Sequence, residues 1–418
     1  MRVLHISFSD TGGGANRSAM RLHNALRTVG IDSKALVTEK NGSDPNVVGP
    51  KTISKKVVHK FSSAVEVGAS NLIKGLFQID EMCSVGLFPS QLKSEIKNLN
   101  PDIINLHFIN SGALAIQQIK TIEYPVVWTL HDCWPLSGLE HIPILDRSEN
   151  IGAKCTRWKL FRQLSRMVKS LKGAAFSKIK FVAPSLFIKS EVQKYGLNGV
   201  DNVTYIPNPV DTSFWKPENK KFSRDLLGIS HDEHIVLCCI DGRLDGFNAK
   251  IKGYHLVQSF FERLNRLEKK IKVLIIGKTN IVVPTGENVS AVYLNRLSDD
   301  IALKIVYSSA NCLVHFSLWE NLPNTVIESL ACGVPAVAFD QTGSGEIIEH
   351  LKTGYLAENG NVDDLIIGVN NCLQNAGGIN GEETRCLCVK SVQQRFSSKL
   401  VAERYFQYYQ TILGNKSL

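Results

Sequence analysis

Two glutamates in the C-terminal half, Glu320 and Glu328, have a spacing that suits an elongated polar ligand. The surrounding sequence reads as strand, turn, helix and strand, with Glu320 at the turn and Glu328 inside the helix. Eight positions correspond to roughly two helical turns, so the two carboxylates can reach two parts of one ligand. A nucleotide-sugar has a hydroxyl-rich group at each end. Most such acids are simply solvated, so the interpretation depends on the residues around the pair.

The segment between the glutamates also predicts an anion site. It passes into the helix just after Pro323, which suits a first helical turn. Backbone N–H groups around Asn324 and Thr325 would then point at an anion. A glycine turn at 342–346 follows the next predicted strand and is expected to line the same crevice.

Lysine and arginine side chains follow the first predicted strand of the C-terminal half. Arg243 and Lys252 lie in the loop 241–253, and they could neutralise a departing diphosphate. The loop is long, so Lys250 is an alternative to Lys252. A solvent-facing loop with no ligand is the plainer interpretation.

Two further groups stand at predicted strand ends in the N-terminal half. In the turn 10–16, Gly13 and Gly14 would let the backbone approach a ligand near a helix N-terminus. The glycine spacing fits neither a dinucleotide fingerprint nor a P-loop. The pair His131 and Asp132 follows an apolar strand. His131 could hydrogen-bond a sugar hydroxyl or transfer a proton, or the pair could be structural.

The elements that must position these residues alternate between apolar strands and helices, which predicts parallel sheets covered on both faces. A length of 418 residues favours two domains. We expect an α/β chain with two doubly wound domains, 1–207 and 208–396, facing each other across a deep cleft. A terminal helix, 397–418, would pack back toward the first domain. The predicted strands are Val3–Phe8, Ser33–Val37, Ile103–His107, Tyr124–Leu130, Lys180–Pro184, Val203–Ile206, His234–Ile240, Ile271–Gly277, Val289–Leu294, Cys312–His315 and Ala336–Phe339.

Composition places the chain among globular proteins of the cytoplasm. It is 44% hydrophobic and 21% charged, and it has no apolar run near the roughly 18 residues of a membrane span. No signal peptide is predicted. The ten cysteines include no Cys-x-x-Cys pair, so neither a zinc ribbon nor a redox motif is indicated.

The net charge of +9 lies largely in the first half, notably in the run 154–180. Aromatic residues interleave with the charges there, which is compatible with a segment that lies on the inner face of a membrane. A solvated basic face is equally compatible. We do not expect nucleic acid to bind, because no recognised binding module accompanies the run.

Taken in order, these motifs resemble the retaining glycosyltransferases of family 4, which have the GT-B fold. The resemblance is strongest over 309–358, where the family's Glu-x7-Glu motif is matched by Glu320 and Glu328. The segments 183–185 and 206–211 also match, as does the pair Arg243 and Lys252. The sequences of segments 130–135 and 320–325 resemble those of enzymes of bacterial exopolysaccharide and colanic-acid-type assembly.

The resemblance implies a function and a role for each matched residue. It implies transfer of a hexose-type sugar from a UDP- or GDP-sugar to a glycan or a polyprenyl-diphosphate-linked acceptor, with retention and without a metal or other cofactor. Gly13 and Gly14 would approach the donor phosphates or the acceptor. Asn324 and Thr325 belong to the same donor site. Arg243 and Lys252 would bind the diphosphate, and Glu320 would bind the transferred sugar. Glu328 would bind the ribose, and His131 would lie near the reacting centre.

Two other functions remain open at this point. A non-hydrolysing sugar-nucleotide 2-epimerase shares the two-domain architecture, although the glutamate motif and the Arg/Lys loop favour the transferase. A non-catalytic member could act as a scaffold that binds a sugar-nucleotide or a partner.

Overall fold

The computed structural model describes residues 1–90, 92–142, 156–194, 203–242, 246–284, 286–375 and 378–414. By its internal contacts the chain divides into two compact units. The first unit comprises Met1–Pro209 and Ser398–Leu418, and the second comprises Val210–Ser397. The divisions fall after 209 and 397, against the predicted 207 and 396.

The first unit is built on a parallel sheet of seven strands in the order β3-β2-β1-β4-β5-β6-β7. Its interior strands are buried and rich in Ile, Val and Leu, as strands covered on both faces require. The strand order reverses between β1 and β4, which pair in parallel. The strands are β1 (Arg2–Ser9), β2 (Asp32–Glu39), β3 (Val47–Val48), β4 (Ile103–Leu106), β5 (Val126–Thr129), β6 (Lys180–Ala183) and β7 (Val203–Tyr205).

The helices of the first unit include one that comes from the C-terminus. They are α1 (Gly14–Thr28), α2 (Ile53–Phe77), α3 (Leu92–Leu99), α4 (Ile116–Lys120), α5 (Thr156–Ala175), α6 (Leu186–Lys194) and, from the end of the chain, α15 (Ser398–Ile412). Tyr405 and Tyr409 of α15 are buried in a core cluster with Leu22 and Leu26 of α1. The Tyr409 hydroxyl also accepts a hydrogen bond from the Asn105 side chain at 2.7 Å. The terminal helix is therefore part of the first unit.

The second unit is built on a parallel sheet of six strands in the order β10-β9-β8-β11-β12-β13, which reverses between β8 and β11. The strands are β8 (His234–Cys239), β9 (Ile271–Ile276), β10 (Val289–Tyr293), β11 (Cys312–His315), β12 (Ala336–Phe339) and β13 (Gly354–Ala357). The helices are α7 (Lys220–Leu226), α8 (Gly246–Ile251), α9 (Val257–Leu264), α10 (Asp300–Ser309), α11 (Asn324–Ala331), α12 (Ser344–Ile347), α13 (Val362–Gln374) and α14 (Gly378–Phe396). Two apolar clusters cover its faces.

The prediction of two doubly wound parallel domains is confirmed, and the differences lie at the margins. Two short strands, β3 and β13, and the 25-residue helix α2 were not predicted. Before α9 the chain forms one turn of 3-10 helix, Tyr254–Leu256. Gly253 stands before that turn in the left-handed conformation, which delays the α-helix.

Candidate active site

The candidate donor site lies at the carboxyl edge of the second sheet, where the strand order reverses. Loops that leave β8 and β11 meet at this edge, since the two strands are parallel neighbours. A reversal of this kind leaves a crevice in which open parallel sheets bind ligands. Lys252 arrives from the loop after β8, and Glu320 from the loop after β11. The sequence prediction for both residues placed them at this edge.

Lys252 and Glu320 form an ion pair, in which the ammonium group donates to Glu320 Oε2. The Lys252 side chain is 40% exposed and that of Glu320 is 21% exposed, so a ligand can approach both. Burial alone would raise the pKa of Glu320, but Lys252 and His315 more than offset it, and the pKa lies below its usual value. Burial likewise opposes the charge on Lys252, yet Glu320 raises its pKa. Both groups are therefore charged at neutral pH.

Close backbone packing fixes the position of this pair. The N–H groups of Leu318 and Trp319 both donate to Ile251 O, at 2.8 and 3.1 Å. Gly253 has φ +67, and a Cβ on it would stand 1.9 Å from Phe316 O. The segment before Glu320 thus rests directly on the lysine loop, which only glycine permits here.

The glycine turn after β12 joins the same site. Gly343 N donates to Glu320 O at 2.9 Å, and a Cβ on Gly343 would meet Asn321 O at 1.4 Å. The sequence placed the turn 342–346 in the crevice with Glu320, and the structure brings the two together. Lys250, the alternative lysine, is exposed in α8. The geometry therefore favours Lys252.

His315, the last residue of β11, is a site residue that the sequence reasoning missed. Burial lowers its pKa to about 4, with Glu320 opposing that shift and Lys252 adding to it. Its Nε2 is buried and makes no hydrogen bond to the described residues. A neutral imidazole with one uncommitted ring nitrogen beside Glu320 can bind a ligand hydroxyl. Its position at the end of a central strand was the available signal.

Glu328 lies deeper than the sequence suggests. It is 2% exposed, and its Oε2 accepts a hydrogen bond from the Tyr307 hydroxyl of α10 at 3.0 Å. Burial, with this carboxylate next to it, raises the pKa of Tyr307 well above its usual value. The tyrosine therefore remains a donor at any physiological pH and holds the carboxylate in one orientation. Tyr307 had no sequence signal of its own.

Other groups at this edge could meet an anionic ligand. Asn324 and Thr325 form the half-buried first turn of α11, which no side chain caps within the described chain. Asp241, just after β8, is bound by the Arg296 guanidinium at 2.6 Å and by Lys278 N at 3.0 Å. The Arg296 guanidinium is therefore a second cation at this edge beside Lys252, whereas Lys278 contributes only its backbone N–H. The predicted Arg243 lies outside the described residues.

The predicted glycine turn of the first unit stands at the carboxyl end of β1. Gly13 has φ +62, Gly14 opens α1, and both are exposed. The Asp10 carboxylate anchors the turn, because it accepts from Asn41 N and from Gly42 N, both at 2.8 Å. The N-terminus of α1 has no side-chain cap in this described part of the chain. The turn can therefore receive an acceptor or a phosphate at this edge.

His131 is the half-buried end of a row of three histidines, of which His5 and His107 are buried. His5 Nδ1 lies 2.9 Å from His107 Nε2, and His107 Nδ1 lies 3.0 Å from His131 Nε2. His5 is on β1, and the other two follow β4 and β5. Burial lowers the pKa of His5 and of His107 well below the usual value, and that of His131 to about 4. All three rings are therefore neutral at pH 7.

The order of protons along this row follows from its buried end. His5 Nε2 is buried and has no hydrogen-bond partner among the described residues. Since buried N–H groups without an acceptor are rarer than under-used acceptors, we assign the proton of His5 to Nδ1. His107 then accepts at Nε2 and donates from Nδ1 to His131 Nε2. His131 carries its own proton on Nδ1 and can act as a hydrogen-bond donor. Its other nitrogen, Nε2, already accepts the hydrogen bond from His107, which disfavours a role as general base.

Asp132 supports a different histidine. Its Oδ2 lies 2.6 Å from His141 Nδ1, and its Oδ1 accepts from Trp134 N at 2.9 Å. Burial opposes the negative charge of Asp132, but His141 holds its pKa below the usual value. The carboxylate therefore organises the loop after β5. His131 and Glu320 lie in different units of the chain.

The described residues contain neither a metal-binding cluster nor a membrane-spanning helix. No group of three or more His, Cys, Asp or Glu side chains there could hold a metal ion. None of the helices described is both long enough and apolar enough to cross a membrane.

Known proteins resemble this chain in both halves. Residues 12–214 match the family model described as Glycosyltransferase Family 4, and residues 246–386 match that of Glycosyl transferases group 1. An uncharacterised glycosyltransferase of Methanocaldococcus jannaschii is 32% identical over 309 residues, or 66% of this chain and 73% of that protein. One from Haemophilus influenzae is 34% identical over 79 residues, which span 19% of this chain and 22% of that protein.

Solved structures share the fold at low sequence identity. Sucrose-phosphate synthase from Thermosynechococcus elongatus aligns with a TM-score of 0.67 and 16% identity over 100% of both chains. Anabaena HepE in complex with UDP-glucose aligns with a TM-score of 0.62 and 15% identity over 98% of this chain and 100% of that one. WaaG, described as a glycosyltransferase involved in lipopolysaccharide biosynthesis, aligns with a TM-score of 0.61 and 13% identity. The alignment covers 97% of this chain and 99% of that one. On the matched models and the Methanocaldococcus relative, the chain belongs to glycosyltransferase family 4, and its two Rossmann-like domains have the GT-B fold.

Proposed function

We propose that this protein is a retaining glycosyltransferase, which moves a hexose-type sugar from a UDP- or GDP-sugar to a glycan or lipid-linked acceptor. The observation that carries the proposal is the Lys252–Glu320 pair at the strand reversal of the second sheet. A carboxylate that is charged and partly exposed can accept hydrogen bonds from sugar hydroxyls. An ammonium group beside it can bind the diphosphate.

Charge balance explains why this pairing suits group transfer. As the glycosidic bond breaks, negative charge grows on the diphosphate, and fixed cations lower the free energy of that state. Lys252 and Arg243 would supply those cations, with the first-turn N–H groups of Asn324 and Thr325. Glu320 would bind the transferred sugar, so the bond between sugar and phosphate would lie beside the cations.

The other predicted residues take roles around this centre. Glu328, held by Tyr307, would accept from the ribose hydroxyls. His131 would donate from Nδ1 to the acceptor or to the sugar. Gly13 and Gly14 would approach a phosphate or the acceptor. The family resemblance supports attack on the same face as the leaving group, with the departing phosphate removing the acceptor proton. Since lysine and arginine neutralise the phosphate, we propose no metal ion and no other cofactor.

For the acceptor, we propose a glycan or a polyprenyl-diphosphate-linked oligosaccharide of bacterial surface polysaccharide synthesis. WaaG, which shares the fold, is described as acting in lipopolysaccharide biosynthesis, and this supports the proposal. The protein would work in the cytoplasm, at the inner face of the membrane, through the basic surface of its first unit. Nucleic acid is not a proposed partner.

A turnover assay tests the proposal. The purified protein is incubated with a panel of UDP- and GDP-sugars, with and without lipid-diphosphate oligosaccharides, and release of the nucleoside diphosphate is measured. We expect release with at least one donor, and NMR of the product to show the anomeric configuration of that donor. An inverted product would overturn the retaining mechanism. Absence of turnover and binding, with activation of a partner transferase, would identify a scaffold.

A further inference from the structure

Helix α2 of the first unit has a burial pattern that is the reverse of that of an ordinary surface helix. Surface helices bury apolar residues and expose polar ones. The buried side of α2 consists of polar residues at helical spacing, namely His59, Ser62, Glu66 and Ser70. Its exposed side carries large apolar residues, namely Ile53 (82% exposed), Val57 (59%), Phe61 (70%), Leu72 (63%) and Leu76 (58%).

Specific hydrogen bonds fix this orientation. Glu66 Oε1 accepts from Val85 N at 2.7 Å and from Gly86 N at 2.8 Å. Ser62 Oγ donates to Pro89 O at 3.0 Å. Rotation of the helix to bury its apolar side would turn Glu66 to solvent and leave the buried N–H groups of Val85 and Gly86 without their acceptor, at a cost of about 1–3 kcal/mol for each buried group. The apolar side is therefore held outward by the fold.

The charges on the exposed side of α2 are all positive. Lys56 and Lys60 are exposed, and Lys51 is exposed just before the helix. The one acid of α2, Glu66, is buried. An apolar stripe with lysines among it fits the boundary between headgroups and acyl chains of an anionic bilayer. It fits a protein partner less well, because interface cores are depleted in lysine.

The neighbouring helix α5 also exposes apolar residues. Phe77 of α2 and Phe161 of α5 pack with their ring centroids 5.7 Å apart. Leu160, Met167 and Leu171 of α5 are each at least half exposed. They lie on one face of the helix, because intervals of seven and eleven residues return nearly to the same direction. Arginines 162 and 166 of α5 are exposed as well.

A cavity connects the basic end of α2 to the glycine turn. Its volume is about 760 Å³, and Lys51, Lys56 and Lys60 line one side. The other side includes Asn41 and Gly42, whose N–H groups bind the Asp10 carboxylate of the turn. A lipid phosphate bound by these lysines would therefore lie next to the proposed acceptor edge.

We propose that α2 is the membrane-binding element of this protein: its apolar side enters the headgroup region of an anionic bilayer, and the basic cavity holds a lipid phosphate. This inference specifies the membrane partner of the proposed function, but binding to vesicles requires no turnover. The membrane surface and the transferase activity can therefore fail separately.

Vesicle co-sedimentation of the full chain tests the proposal. Vesicles of phosphatidylcholine alone are compared with vesicles that also contain phosphatidylglycerol, at low and high salt. We expect binding to the mixed vesicles, weakened by salt. The double variant I53S/F61S should reduce binding by about tenfold or more, since two inserted apolar side chains are lost. The variant K56Q/K60Q should reduce binding to the mixed vesicles by a similar factor, and should change binding to neutral vesicles little.

The matched control removes exposed apolar residues elsewhere. Ile301 and Ile367 of the second unit are each 57% exposed, so I301S/I367S should leave vesicle binding unchanged. All these side chains are exposed, and the thermal midpoints should stay close to that of the wild type. Equal losses in control and test variants, or unchanged binding of I53S/F61S, would overturn the proposal. A dimer in solution that I53S/F61S dissociates, without vesicle binding, would assign the surface to a second copy.

Discussion

At the scale of single residues, the proposed site depends on charges that are fixed but only partly buried. Glu320 and Lys252 keep both charges because each stabilises the other where solvent has been partly removed. Screening limits what such an exposed pair contributes to stability. Its value would lie in ligand binding, since both groups can bind a sugar and a phosphate without reorganising.

Replacing Glu320 with glutamine should therefore affect activity more than folding. The amide keeps the shape but loses the negative charge, which should lower kcat/KM by about 10²-fold, the effect of losing one preorganised group. Steady-state kinetics and thermal unfolding of E320Q measure the two effects. The exposed Glu268 provides the control, since E268Q should retain both values. Wild-type turnover in E320Q would remove the glutamate from the site.

The histidine row makes a spectroscopic prediction. Long-range proton–nitrogen NMR of the wild type should show His131 protonated on Nδ1 and unprotonated on Nε2, because His107 donates to Nε2. In H107F that donor is lost, and the Nδ1 form should no longer dominate. His255, which is exposed and lies in the second unit, is the control, so H255F should leave His131 unchanged. An Nε2–H signal for His131 in the wild type would reverse the assigned proton order.

Residue roles could be predicted only where chemistry and position coincided in the sequence. Glu320 and Lys252 follow strands, so parallel-sheet geometry placed them at one edge. His107 is 24 positions from His131, and its role needs the neighbouring strands β4 and β5 to be known. The role of Tyr307 could not be predicted from the sequence either, because the residue becomes relevant only when α10 packs against Glu328.

At the scale of elements, the proposed donor site depends on two loops whose backbones are in direct contact. Gly253 permits that contact, since it has both a left-handed conformation and Phe316 O directly opposite. Its role is therefore to place Lys252 against Glu320. An ordinary turn glycine would have only the first requirement.

A pair of glycine-to-alanine substitutions separates these two requirements. Gly228 has φ +63 with nothing within 4 Å of an added Cβ, so G228A should cost only about 1 kcal/mol of backbone strain. G253A adds a collision with backbone. It should lower stability further and weaken nucleotide-sugar binding as Lys252 shifts. Chemical denaturation and donor titration measure both variants. Equal effects of G253A and G228A would show that the contact with Phe316 does not position the lysine.

The sequence predicted most elements because buried parallel strands and their intervening helices have strong apolar patterns. Helix α2 was not predicted because its polar side is buried and its apolar side is exposed, which reverses the usual pattern. Strand β3 has only two residues, too few for a pattern. The ends of the histidine row and the glycine contacts require the assembled sheet.

At the scale of the whole molecule, both units bury neutral histidines, which couples stability to pH. Burial is the first cause that lowers the pKa of His23, His131 and His315 to about 4. Between about pH 6.5 and about pH 4 the unfolded chain therefore binds protons that the folded chain does not. Stability should be fully present above about pH 6.5 and should fall as the pH drops toward about 4.

Denaturant unfolding at neutral pH and near pH 5 measures this effect. Each histidine can contribute up to about 3 kcal/mol across the full interval. H315Q should remove the share of His315 and leave those of His23 and His131. A free energy of unfolding that stays constant or rises on acidification would contradict the buried neutral state of these rings.

Donor binding to the wild-type protein tests most directly whether Glu320 and Lys252 form a donor site. A thermal-shift panel of UDP- and GDP-sugars, read against E320Q and E268Q, reports any ligand that binds the native state. We expect at least one nucleotide-sugar to raise the midpoint of the wild type and of E268Q, and to raise it much less in E320Q. No shift with any nucleotide-sugar, or the same shift in E320Q as in the wild type, would contradict a donor site built on Glu320 and Lys252.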